Sequence, residues 1–334
     1  MSTSVTHNIE SDPARVQSAE ARATPALRPA PLADPGKKPA VSVIIPTYNR
    51  VDLLRASIES VAAQTLTDYE IIVVDDGSED DTRDYVTSLD LPIQYHWQLN
   101  QGVSEARNHA LRVVRTEFVA FLDSDDLWKP RFLAETIARL RSRPDEAIVY
   151  TDFISTNSAG KVIGGHRKKP HAGNVTSELF KSTFIHTSAV VARAHIIRDA
   201  GGFDGRLTHN EDYDLWLRLS LRCRIGLVPK PLCLRRCHRN SLSRDGCSPE
   251  ILLRKAELLE RFYEEGGGKP VIAEAVAKRR LAKVHYTAGK AFLRAGKVNQ
   301  AREALCRSMS FQSGRIKTWF WYLCANLMPA KRSD

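Results

Sequence analysis

The chain has 334 residues, 43% of them hydrophobic and 26% charged, with 49 Lys/Arg against 39 Asp/Glu and a formal net charge of +10 at pH 7. This is the composition of a soluble globular protein with room for one large or two ordinary domains. It excludes a spanning helix, since no run of about 18 apolar residues occurs, and the six scattered cysteines show no zinc spacing.

Without a secretory signal, those cysteines read as reduced thiols in a cytoplasmic protein. The basic balance directs attention to anionic partners: phosphorylated substrates or an acidic membrane surface. Nucleic acid is set aside, because charge is its only support and no recognition motif is present.

Residues 1–39 are rich in Ala, Pro, Ser and charge and lack periodicity, so they are expected to be disordered. Order is expected from 41–45, a Val/Ile run that Pro46 should stop, followed by a helix capped by Asp52. A second strand, 70–74, ends in Asp75-Asp76-Gly77-Ser78, and Asp80 and Asp81 introduce a second helix. A third strand is expected near 93–97, then a polar turn and the helical Glu105–Leu111 stretch. The next strand, 118–122, is apolar on both faces and ends in Asp123-Ser124-Asp125-Asp126, three carboxylates within four positions.

This alternation of strand and helix argues for a parallel sheet covered by helices on both faces. Ligands of such sheets bind beyond the carboxyl ends of the strands, where the acidic residues lie. Clustered carboxylates repel one another unless a cation sits among them, and a hard divalent ion shared with substrate phosphates suits them. Neither the glycine fingerprint of a dinucleotide site nor a phosphate-loop Gly-Lys-Ser/Thr is present.

Further along, a helix is expected over 130–141, a strand over 147–150, a hairpin or mobile loop over 155–169 and a strand over 188–192. A helix opening on Glu211-Asp212 carries the apolar stripe Leu215, Trp216 and Leu219, and strands are expected at 225–228 and 232–236. Beyond 249 long helical patterns take over, and 280–310 has the small/aromatic spacing of a tetratricopeptide-like hairpin. The closing Trp319-Phe320-Trp321-Tyr322-Leu323 run is flanked by Arg315, Lys317, Lys331 and Arg332. It fits either a helix lying in a membrane interface or a terminal helix packed on its own domain.

Five motifs in order resemble family 2 glycosyltransferases of the GT-A fold: Val-Ser-Val-Ile-Ile-Pro-Thr-Tyr-Asn-Arg, Asp-Asp-Gly-Ser, Asn-Gln-Gly-Val-Ser-Glu-Ala-Arg-Asn, Asp-Ser-Asp-Asp and Glu-Asp-Tyr-Asp-Leu-Trp. Each is weak alone, but their order and spacing over residues 41–245 are specific. The resemblance implies an α/β GT-A nucleotide-diphospho-sugar transferase fold, a mostly parallel central sheet between helices, with a helical C-terminal extension. With the composition changes at 39 and 249, the chain divides into a disordered 1–39, a transferase domain 40–248 that carries the resemblance, and the extension 249–334. It implies an inverting enzyme that moves a sugar, expected to be UDP-linked, from a nucleotide-sugar donor to an acceptor hydroxyl. The expected acceptor is a surface glycan or a lipid-linked one met at the inner membrane face.

By the same resemblance, Pro46, Thr47, Tyr48, Asp75, Asp76, Arg107 and Asp123 bind the donor. Asp125, with His238, holds Mn²⁺ or Mg²⁺. Asp212 is the base, Glu211 its neighbour, and Trp216 shapes the acceptor side. A metal on the leaving diphosphate and one base for the acceptor proton are what direct displacement requires. A degenerate transferase domain acting as a scaffold, and a nucleotidyltransferase, are the alternatives.

Overall fold

A computed structural model of the chain describes residues 38–157, 160–165, 171–238 and 248–328. The stretch expected to be disordered, 1–39, lies outside them but for its last two positions, as do Lys331 and Arg332 at the end of the basic flank.

Among the described residues nine strands form one sheet: β1 (Val41–Thr47), β2 (Tyr69–Asp75), β3 (Ile93–Trp97), β4 (Phe118–Phe121), β5 (Leu127–Trp128), β6 (Glu146–Asn157), β7 (Val162–Gly165), β8 (Val190–Arg193) and β9 (Arg224–Cys237). Their order is β3-β2-β1-β4-β8-β6-β9-β5, with β7 paired to β6. The helices α1 (Val51–Ala62), α2 (Thr82–Thr87), α3 (Val103–Val113), α4 (Phe132–Ser142), α5 (Thr176–Lys181), α6 (Ala194–Asp199) and α7 (Glu211–Ser220) alternate with them.

The first four strands are parallel, as their helical crossovers require. β8 then runs antiparallel to both β4 and β6, while β6 and β9 are parallel to each other. Alternate residues of β1 and β2 enter different cores. Ile44, Ile72 and Val74 pack on one face of the sheet, and Val43, Ile45, Ile71 and Val73 on the other. Both faces are dry, which is why these strands read as unbroken apolar runs.

Three local expectations need correction. Pro46 does not stop β1: it pairs with Val74 of β2, whereas β4 leaves β1 after Ile44, so the missing N–H faces no ladder partner there. The N-terminus of α1 is capped by Asp80, whose Oδ2 accepts from the Val51 N–H at 3.0 Å, and not by Asp52. The two strands expected at 225–228 and 232–236 are one strand, β9. The Val228-Pro229-Lys230-Pro231 segment between them is carried as a register shift against β6.

The extension comprises α8 (Pro249–Glu264), α9 (Glu274–Arg294), α10 (Val298–Phe311) and α11 (Ile316–Leu327). Its apolar side does not form a separate core at first. Leu259, Phe262 and Tyr263 of α8 and Ala277 and Leu281 of α9 belong to the same buried cluster as Ile44 and Trp216. A smaller second cluster, with Phe292, Leu305 and Ala325, joins the later helices. Gly289 permits that contact: a Cβ there would lie 2.7 Å from Leu305 Cγ and 3.3 Å from the Ala301 carbonyl oxygen.

Candidate active site

The carboxyl ends of β1, β2 and β4, the start of α7 and one side of α8 enclose a cavity of about 660 Å³. Pro46, Thr47 and Tyr48 line it from β1, and Asp123 and Asp125 from the turn after β4. Asp76, Arg107, Glu211 and Asp212 complete the set of expected residues on its wall.

At the β2 end the two aspartates diverge. Asp75 is turned inward: its Oδ2 accepts from the Tyr95 hydroxyl at 2.7 Å and its Oδ1 from the Ser78 N–H at 2.7 Å. It shapes the turn and does not line the cavity. Asp76 does, and its carboxylate accepts from Gln98 Nε2 and from the N–H groups of Gln101 and Gly102 at 2.7–2.9 Å. Gly77 in this turn has φ of 89°, and a Cβ there would press on the Asn100 nitrogen at 3.0 Å.

Arg107 is the buried hinge of the floor. Its Nη2 donates to Asp123 Oδ1 at 2.6 Å and its Nη1 to Glu211 Oε1 at 2.9 Å. Burial would raise Asp123, but Arg107, His186 and Arg50 outweigh it and hold the carboxyl below the usual range. Burial, joined by the charge of Asp212, pushes Glu211 upward against the pull of Arg107.

The Asp123–Asp126 turn is clamped from beneath. Arg236 donates from Nε to the Asp125 carbonyl at 2.5 Å and from its backbone N–H to Asp126 Oδ1 at 3.0 Å. Asp126 Oδ2 also accepts from the Ser188 hydroxyl at 2.6 Å and meets His186 Nε2 at 2.7 Å. Asp125 faces His238 Nε2 at 3.0 Å and Arg50 Nη1 at 3.5 Å. Burial first, then the charges of Asp126 and Asp123, push Asp125 up.

Oxygen atoms of Asp123, Asp125 and Asp126 lie within 4.8 Å of one another. An all-carboxylate set in which the charges of Asp126 and Asp123 help push Asp125 up fits a hard divalent cation.

Asp212 is held at both oxygens, Oδ2 by the Thr187 hydroxyl at 2.9 Å and Oδ1 by the Tyr213 N–H at 2.7 Å. Glu211 points to Arg107 instead, as neighbours on one helix turn must diverge. Asn210, just before this helix, has φ of 62°, and Asn49 after β1 has φ of 48°. Both left-handed residues border the cavity region, where such strain collects.

Trp216 needs correction. It is fully buried, with its ring centroid 6.2 Å from Phe121 and 6.4 Å from Phe203. It belongs to the apolar stripe of α7, which must face the core, so it supports the floor rather than bordering an acceptor.

Sequence reasoning missed Arg50 as a partner of Asp125, and it missed His186, Thr187, Ser188, Arg236 and Lys255 altogether. Arg50 stood in a quoted motif, but the others lie outside any. Thr47 Oγ1, Arg107 Nε, His209 Nε2 and Asn210 Nδ2 line the same cavity, buried and without a hydrogen-bond partner among the described residues. Buried polar atoms are nearly always hydrogen-bonded, so these four call for water, an ion or a ligand in the cavity.

A nucleotide-sized cavity at the strand ends of this mixed sheet, walled by carboxylates, defines a GT-A-fold transferase domain. The chain belongs to glycosyltransferase family 2: the Glycosyl transferase family 2 profile matches residues 42–200.

It is 33% identical over 185 residues to the Escherichia coli UDP-Glc:alpha-D-GlcNAc-diphosphoundecaprenol beta-1,3-glucosyltransferase WfgD, covering 54% of this chain and 69% of that protein. Among solved structures it is similar to S. aureus TarS 1–349 in complex with UDP, with a TM-score of 0.62 at 21% identity over 86% of this chain and 90% of that one. It is also similar to the Pyrobaculum calidifontis mannosyltransferase PcManGT in complex with GDP-Man and Mn²⁺, with a TM-score of 0.54 at 20% identity over 90% and 84%. The matches span only 28 to 58% of the length of the first five curated relatives, glycosyltransferases of Rickettsia species.

Proposed function

We propose that the chain transfers a sugar from a nucleotide diphosphate donor to an acceptor hydroxyl with inversion, in the assembly of a polysaccharide or glycolipid. The observation that carries this reading is that Asp76, the Asp123–Asp125 pair and Asp212 all face one cavity. Thr47, Tyr48 and Asp76 form its nucleotide end. Asp123 and Asp125, with His238 beside Asp125, would hold Mn²⁺ or Mg²⁺. A bound divalent ion supplies Lewis-acid stabilisation of the charge that develops on the leaving diphosphate.

The rest falls to the chain's own groups. Asp212, oriented by Thr187, takes the acceptor proton as the new bond forms. One base suffices, whereas a glycosidase needs a working pair of carboxylates. Glu211 and Arg107 keep the floor rigid beside it. Arg50, Arg235 and Lys255 add positive charge to the cavity wall, which suits a diphosphate. A UDP-linked donor and a lipid-borne acceptor complete the reading, supported by the Escherichia coli relative, which is named for UDP-Glc and a diphosphoundecaprenol-linked acceptor.

The test is a thermal-shift panel of nucleoside diphosphates and nucleotide sugars with and without Mn²⁺, followed by nucleotide-release kinetics. A metal-dependent shift for one nucleotide, absent in Asp125→Ala, is the expected result. No shift with any nucleotide would move the chain to the scaffold reading.

A further inference from the structure

Helix α11 has two unlike faces. Thr318 and Ala325 are fully buried, Arg302 donates to the Ala325 carbonyl at 2.9 Å, and Lys290 lies 5.1 Å over the Trp321 ring. That face is committed to α9 and α10. The other carries Ile316, Trp319, Phe320, Leu323 and Leu327, exposed by 82, 46, 58, 58 and 86%. Their i, i+3, i+4, i+7, i+11 spacing makes one stripe along the helix. Large apolar side chains lined up in this way on a surface mark a contact still to be made.

The surroundings of the stripe select the partner. Residues 276–334 contain thirteen Lys/Arg and two Asp/Glu. Lys317 is exposed beside the stripe, and the Arg315 guanidinium lies 4.6 Å over the Tyr286 ring at its start. Tryptophan and phenylalanine on one face with basic residues at its border is the pattern of a helix lying in the headgroup region of a bilayer. At 12 residues α11 is too short to span one, and no described helix is long and apolar enough to cross. A second copy of the chain is the poorer fit, since pairing through α11 would bring two strongly basic surfaces together.

We propose that the exposed face of α11 docks on an anionic lipid surface, its aromatic and aliphatic side chains entering the headgroup boundary and its basic flank drawn to lipid phosphates. The proposal stands on the surface itself. It shares with the proposed reaction only the lipid-borne acceptor, and its test reads neither nucleotide binding nor transfer.

The full chain is sedimented with vesicles of equal parts phosphatidylglycerol and phosphatidylcholine, or of phosphatidylcholine alone, at low and high salt. Binding to the anionic vesicles that weakens with salt is expected, together with a drop of about tenfold or more in the Phe320→Ser/Leu323→Ser double variant. Both positions are exposed, so an unchanged melting temperature separates lost docking from lost folding. Absence of wild-type binding, equal binding to both lipids, or unchanged binding by a folded variant would overturn the proposal. So would a concentration-dependent dimer abolished by the same substitutions without vesicle binding, which would assign the face to a second copy.

Discussion

Arg107 of α3 and Glu211 of α7, 104 residues apart in the chain, meet at 2.9 Å beneath the cavity, and the same guanidinium holds Asp123 at 2.6 Å. One buried cation therefore fixes the spacing between the strand end proposed to hold the metal and the helix proposed to supply the base. Arg107→Met removes it and leaves two buried carboxylates facing each other. The expected loss is about 3–5 kcal/mol in urea unfolding, with turnover abolished. Arg107→Lys should recover part of the stability and little of the rate, because an ammonium cannot reach both partners in a fixed fork.

Asp212→Asn preserves shape and the Thr187 contact but cannot accept a proton. Nucleotide release should fall by about 10²–10⁴-fold, with the nucleotide-induced thermal shift intact. Asp125→Ala should lose the metal-dependent shift as well as turnover. Equal loss of shift in both variants would mean that Asp212 binds the donor rather than acting on the acceptor.

His285 gives the extension a pH response. It is 3% exposed on α9, with Nε2 2.9 Å from Glu260 Oε2 on α8. Burial lowers its proton affinity more than Glu260 restores it. The unfolded imidazole thus binds a proton first, and stability falls as pH drops below about 6.5, by up to about 1.4 kcal/mol per pH unit until the folded group also titrates. Thermal melts of His285→Gln should show a smaller decline over the same range.

Gly289→Val should unlatch α9 from α10. The new side chain would fall on Leu305 and the Ala301 carbonyl, with an expected cost of about 1–3 kcal/mol for overpacking, offset in small part because Val is a better helix former than Gly. Hydrogen exchange should rise in α10 and α11 first, while nucleotide binding stays near wild type.

The parts of the site that were legible in the sequence are those whose chemistry is contiguous. Asp75-Asp76, Asp123–Asp126 and Glu211-Asp212 each follow or open an element, so a short window shows both the strand end and the carboxylates. Arg236 was not legible, because its partner Asp125 lies 111 residues away and only the strand order brings β9 beneath the acidic turn. His186 and Lys255 were hidden for the same reason. Trp216 was misplaced although its own stripe, Leu215 and Leu219, pointed inward: the motif drew it toward the ligand while the periodicity drew it to the core. Composition marked a change at residue 249, but it reported the switch from strands to helices. It could not report that α8 shares a core with β1.

That shared core has a practical consequence. The family match ends at residue 200, before Asp212 and before the helix whose Ile251, Leu252 and Lys255 wall the cavity. The segment by which the chain is recognised is therefore smaller than the segment that must fold together. A protein cut at the end of the match, or a chimera joined at residue 248, would lose Phe262 and Tyr263, leave Phe180 without the rings packed on it, and open one side of the cleft. Exchange of segments between relatives is better attempted by moving α7 and α8 as one block.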